Sequence, residues 1–148
     1  EEIYSLREAI ESLAVDYAIK NATAEQIDEL GKLVETMAVQ AERDYTQFEA
    51  TDIDLDFHHT MCRISGHRRL LAAWEALNPQ ICMLLLYHRT RLPDDFRERG
   101  VEWHHHIVDA LRQRNAELAQ QLLRKHLAAS FQSLAESFSK DTDEAAGP

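Results

Sequence analysis

Glycine and proline are scarce in this 148-residue chain, at four and three residues. So few breakers leave no room for a fold built on many tight turns. Leu, Ala, Glu, Gln and Arg fill the intervals, so helix propensity dominates and predicts an all-α fold. Cysteine occurs only twice, at Cys62 and Cys82, without the paired spacing of a zinc ribbon or a disulfide framework. A reducing cytoplasm fits that usage. The longest apolar run, Ile81 to Tyr87, covers seven residues, where a membrane span needs about 20. No charged-then-apolar signal region opens the chain, so no export and no membrane partner are expected. Basic residues are the minority, 16 Lys+Arg against 26 Asp+Glu, for a formal charge of -10. Such a surface repels phosphate backbones, so this chain alone should not bind DNA. It begins Glu1-Glu2 without an initiator Met, already inside a helical pattern, and a further N-terminal domain is therefore expected.

At 45% apolar content the chain can bury one sizeable core but is too short for two ordinary domains. A first helix is predicted over about 2–20, with Ile3, Leu6, Ile10, Leu13, Ala14 and Tyr17 on its core face. Thr23 with Gln26 forms a capping box that opens a second helix carrying Ile27, Leu30, Leu33, Val34 and Met37. A third helix, about 46–65, stops at Gly66. A fourth runs from Arg68, with a kink or break expected at Asn78-Pro79 before it resumes through Leu92. Pro93-Asp94-Asp95 starts another helix, and Asn115 caps the last one. The expected architecture is an antiparallel bundle of about six to seven helices over 1–140, followed by a frayed tail over 141–148.

The eight histidines carry most of the chemical information. Asp54 and His58 lie four apart on one helical stripe, beside the core face of Ile53, Phe57 and Met61. In the run His104-His105-His106, only His104 sits amid the face of Val101, Ile107, Val108 and Leu111, and His126 shares a stripe with Leu118, Ala119, Leu122 and Ser130. Three inward histidines and one aspartate thus come from three helices. Burying them is costly unless they pair with one another or share a cation, and one divalent metal would satisfy all four. His59, His67, His88, His105 and His106 are read as ordinary surface or hydrogen-bonded residues.

These segments also carry a family likeness. Leu6-Arg7-Glu8-Ala9-Ile10-Glu11, Asp54-Leu55-Asp56-Phe57-His58, His104 to Leu111 and Arg124-Lys125-His126-Leu127 resemble, in order and spacing, the motifs of the FCD (FadR C-terminal type) effector domain of GntR-family transcription regulators. The resemblance covers about 3–127. It implies that Asp54, His58, His104 and His126 hold a divalent metal at the base of a cavity that takes a small organic acid or related metabolite. It further implies a homodimer that reaches DNA only through an N-terminal winged helix-turn-helix domain. Its interface residues are not legible. Two departures, His67 where the family often has Asn after Ser-Gly and Trp103 where an acidic residue usually precedes the histidine, are expected to alter the pocket or its rim.

Three imidazoles and a carboxylate suit a divalent transition metal, zinc first, with nickel, manganese or iron also compatible. An open coordination position would accept a carboxylate, and a guanidinium would make its natural second anchor. Arg7, at the edge of the first helix's core face, is the first candidate, with a salt bridge to Glu11 as the alternative role; Arg89 is the second, with a solvent-facing side chain as the alternative. A small helical metalloenzyme using the same ligands, and a purely structural metal staple, are the competing readings. The enzyme reading has little to build on, because Glu102-Trp103-His104-His105 is the only Glu-x-x-His segment, and a di-iron bundle needs two.

Overall fold

The structure, a computed structural model, describes residues 1–91 and 96–145. It is all-α, with no strand among the described residues. The helices are α1 (Glu2–Asn21), α2 (Ala24–Ala41), α3 (Gln47–Ile64), α4 (Arg68–Arg91), α5 (Val101–Arg112) and α6 (Ala116–Ala145), with a π-helical turn at Phe96–Gly100 before α5. The helix start expected at Pro93-Asp94-Asp95 lies outside the described residues. Helix α6 continues past Asp141, where the sequence suggested a tail, as far as Ala145.

Local chemistry sets most of the boundaries. The Thr23/Gln26 capping box is present in both directions, and Thr46 with Glu49 makes a second one at the start of α3. Each satisfies backbone N–H groups that a helix start would otherwise leave bare. Gly66 takes φ +71°, ending the turn after α3. His67 then caps α4, its Nδ1 accepting the N–H of Leu70 at 3.1 Å, which is a role a short polar side chain such as Asn could also fill. Asn115 Oδ1 accepts from Leu118 N–H at 3.1 Å to open α6. Arg114, left-handed at φ 54°, sends its guanidinium to the carbonyls of Ala18, Ile19 and Ala22. Those carbonyls lie at the end of α1, where acceptors run short of helical donors, although that of Ala18 also accepts the N–H of Ala22.

Two details depart from the sequence reading. Of the kink or break expected at Pro79, the break does not occur, and helix α4 continues through it. Pro79 and Glu75, whose carbonyl loses its donor, both lie on the exposed side of α4, where water can serve instead. The second concerns α1, whose predicted core face is rotated. Leu6 and Leu13 are 51% and 44% exposed, whereas Tyr4, Arg7, Ile10, Glu11, Ala14, Val15 and Ala18 are buried. An inward Arg7–Glu11 ion pair turns the helix, and a face traced from apolar residues alone cannot register it.

Helix α1 packs against α3, α4 and α6, while α5 lies between α2 and α6. One apolar cluster, including Leu30, Met37, Phe57, Ile107 and Leu123, fills the α2–α3–α5–α6 side. A second, including Ile10, Leu55, Trp74 and Ile81, fills the α1–α3–α4 side. Helix α4 is long and apolar enough, by length and composition, to cross a membrane. Its Trp74, Leu77, Ile81 and Leu85 are nevertheless packed into the second cluster. The polar centre lies between the two clusters.

Candidate metal centre

Asp54 and His58 stand one turn apart on α3, His104 projects from α5 and His126 from α6. All four are buried, and one ligand atom from each lies within 4.8 Å of the others. His58 Nε2 is 3.4 Å from His104 Nε2 and 3.3 Å from His126 Nε2, and His104 Nε2 is 3.5 Å from Asp54 Oδ1. His59 instead meets Glu75 at 3.2 Å, and His105 and His106 are exposed.

The hydrogen bonds behind the rings fix where the protons are. His58 Nδ1 is 2.7 Å from Glu11 Oε2, and an ionised carboxylate can only accept, so that nitrogen carries the proton. His104 Nδ1 bonds the carbonyl of Gly100, with the same consequence. Two bare Nε2 lone pairs therefore face each other. Burial lowers the pKa of His104 to about 4, against the pull of Asp54, which keeps that ring neutral. Burial, reinforced by His104 and His58, also pushes His126 well below the usual histidine range. Burial opposes the charge on Asp54, but positive charge, the Arg89 guanidinium foremost, outweighs it and holds the carboxyl well below the usual carboxylate range. Neutral imidazoles converging with a carboxylate are a cation's donor set. Tetrahedral donors about 2.0–2.1 Å from one centre stand about 3.4 Å apart, and the three distances above match that spacing. Phe57 braces the set, its ring edge-on to those of His58 and His104 at centroid distances of 5.3 and 4.5 Å.

Beside the donors is a cavity of about 40 Å³, lined by residues that include Arg7, Asp54, His88, Arg89, Trp103 and His126. Metabolite sites usually measure roughly 300–1,000 Å³, so a bound organic acid has to push these walls apart. Both arginines reach this cavity. Arg7 is 1% exposed and makes the salt bridge to Glu11 that the sequence offered as its alternative role, Nε donating at 2.7 Å, while Nη2 is buried without a hydrogen-bond partner. Arg89 is not the solvent-facing side chain considered as its alternative. It is 5% exposed, its Nη1 donating to Thr51 at 3.1 Å and its Nη2 lying 3.3 Å from Asp54. Trp103 stands at the cavity wall, as its departure from the family pattern suggested, whereas His67 is occupied with capping α4. The sequence reading named Glu11 only as a partner for Arg7 and missed both its reach to His58 and Trp74, which it meets at 3.0 Å beneath the centre. An acidic residue four after Arg7 was the available sign.

The FCD domain profile matches residues 2–129. The chain belongs to the FCD family. Among curated proteins, this FCD chain is 34% identical over 126 residues to the HTH-type transcriptional repressor NanR of Citrobacter rodentium, covering 82% of this chain and 46% of that protein. It is 29% identical over 136 residues to a probable D-xylose utilization operon transcriptional repressor of Paenarthrobacter nicotinovorans, covering 92% of this chain and 58% of that protein. It thus spans about half the length of the curated relatives it matches. Among solved structures, E. coli McbR/YncC superposes with a TM-score of 0.78 at 22% identity, covering 91% of this chain and 67% of that one. That likeness concerns the fold.

Proposed function

We propose that this FCD domain is the metabolite-sensing part of a cytoplasmic GntR-family transcription regulator. One divalent transition metal, zinc first on the ligand types, is held by Asp54, His58, His104 and His126. The observation that carries this reading is the pair of bare Nε2 atoms 3.4 Å apart, with a third imidazole nitrogen at 3.3 Å, a cluster that a shared cation would relieve. The metal supplies a positive centre at the cavity base that a carboxylate can approach, with Arg7 Nη2 and Arg89 as its guanidinium partners. Expanding so small a cavity shifts α1, α3, α5 and α6 relative to one another, and a ligand biases such an equilibrium by its preference for one state. A linked N-terminal domain would report that shift as altered operator affinity, since this domain's charge of -10 suits it poorly to DNA itself. The repressors among its relatives favour this reading over the metalloenzyme. The test is calorimetry with hydroxy acids, dicarboxylates and sugar acids on zinc-loaded and chelator-stripped protein. Binding should appear only in the loaded form, and binding unchanged by stripping would refute the metal anchor.

A homodimer belongs to the same proposal, because a two-fold operator calls for a two-fold regulator. Exposed apolar side chains on α1 and α4 support it. Leu6 and Leu13 lie outward on the flank of α1 that turns toward α4, and Met83 on α4 is 73% exposed. The most apolar window of α4 has a mean hydropathy of 1.3 but is only 28% buried. A helix that apolar and that bare needs a cover. Sedimentation at micromolar concentration should show a species of twice 17.1 kDa, and the Leu13→Asp/Met83→Asp variant should run as single chains. A wild-type protein sedimenting as a single chain would remove the domain's own contribution to dimerisation.

A further inference from the structure

Beneath the four donors lies a carboxylate to which no motif or relative assigns a role. Glu11 is fully buried on α1 and receives donors from three helices. Its Oε1 accepts Arg7 Nε of α1 at 2.7 Å and Trp74 Nε1 of α4 at 3.0 Å, and its Oε2 accepts His58 Nδ1 of α3 at 2.7 Å. We propose that Glu11 is the positioning residue of the centre, holding His58 in the tautomer that turns a bare Nε2 toward His104 and His126 while holding Arg7 so that Nη2 meets the cavity. The inference rests on the metal-site reading above.

Three donors point at this carboxylate, which has no proton of its own to offer them. Two oxygens that only accept are therefore required, and an amide fails in either orientation. With its oxygen toward His58, the NH₂ of a glutamine meets the N–H groups of Arg7 and Trp74. With its oxygen toward those two, the NH₂ meets His58 Nδ1–H, and relief comes only when the imidazole moves its proton to Nε2. That proton would occupy the position from which His58 must bind a cation. Glu11 also makes Nε2 a stronger donor by pulling on Nδ1–H across the ring, the service that outer carboxylates render to metal-bound histidines. Loss of such partners typically weakens metal binding by about 10–100-fold.

The test uses zinc alone as probe and reads two quantities for wild type, Glu11→Gln, Glu11→Asp and Trp74→Phe. The first is zinc affinity by chelator competition. The second is the His58 tautomer in metal-free protein, from ring ¹⁵N chemical shifts. Trp74→Phe is the structural control, since it disturbs the same buried cluster yet leaves the Glu11–His58 bond in place. Wild type should hold the proton on Nδ1, and Glu11→Gln should move it to Nε2 and weaken zinc binding at least tenfold. Trp74→Phe should match the wild type within about threefold, because the indole N–H bonds Glu11 Oε1 and leaves the Oε2 that holds His58 in place. Glu11→Asp, charged but one methylene short, should fall between, and it carries the test if the Gln variant does not fold. Unchanged tautomer and zinc affinity in the Glu11 variants, or an equal loss in Trp74→Phe, would overturn the assignment. Failure of the wild type to bind zinc would instead overturn the metal reading beneath it, while the tautomer still reports on Glu11.

Discussion

Replacing His104 with Ala should abolish stoichiometric metal binding and the thermal stabilisation that metal confers. His104 Nε2 faces both His58 and Asp54, so its loss removes the donor common to the α3 pair. A metal present at about a thousand times its dissociation constant adds about 4 kcal/mol to folding. At about 2–4 °C per kcal/mol for a domain of this size, that is a melting shift on the order of 10 °C. Removing this buried ring also costs its packing on Phe57 and its bond to Gly100, so the metal-free variant will itself melt lower. The quantity to compare is therefore the zinc-induced shift, alongside metal content by elemental analysis. His105→Ala, an exposed neighbour one residue on, should keep both. Full metal content in His104→Ala would refute the ligand assignment, and equal loss in both variants would mean that the helix presents a different face to the centre.

That comparison works because helical phase distinguishes the two residues, and it did so from sequence alone. Helices α3, α5 and α6 each carry a clear apolar stripe, so Asp54, His58, His104 and His126 could be placed inward by counting turns. Helix α1 defeats the same procedure. Its inward face is centred on Arg7 and Glu11, and the leucines that seemed to define its core, Leu6 and Leu13, are the ones left outside. Apolar periodicity treats an inward ion pair as noise, whereas here the pair is what orients the helix. Glu11 also acts at a distance the pattern cannot express, reaching His58 across 47 residues of chain. Arg89 is a similar case, since its partners Thr51 and Asp54 lie on another helix. Local signals fared better, because the Thr23/Gln26 box, the Gly66 stop and the Asn115 cap depend on bonds within a few residues.

Arg7→Lys should leave metal content intact and weaken carboxylate binding to the metal-loaded protein by roughly 10–100-fold, the equivalent of one charge-assisted hydrogen bond of about 1.5–3 kcal/mol. The guanidinium has two faces to serve, with Nε on Glu11 at 2.7 Å and Nη2 buried without a hydrogen-bond partner in a residue that lines the cavity. A lysine ammonium is a point charge. It can neutralise Glu11 or meet an incoming carboxylate, but it lacks the rigid fork that does both. Arg7→Ala is the poorer probe, because it would leave Glu11 as an uncompensated buried charge, which costs several kcal/mol and confuses folding with binding. Arg89→Lys supplies a contrast. Arg89 is the foremost charge holding Asp54 ionised, so its replacement should disturb metal affinity as well as acid binding. Calorimetry across the same panel of acids, with metal content measured in parallel, separates these outcomes. Acid binding unaffected in Arg7→Lys would leave the metal as the anchor and discard Arg7 as its partner. Loss of metal together with acid would show that Arg7 supports the centre through Glu11 without contacting the ligand.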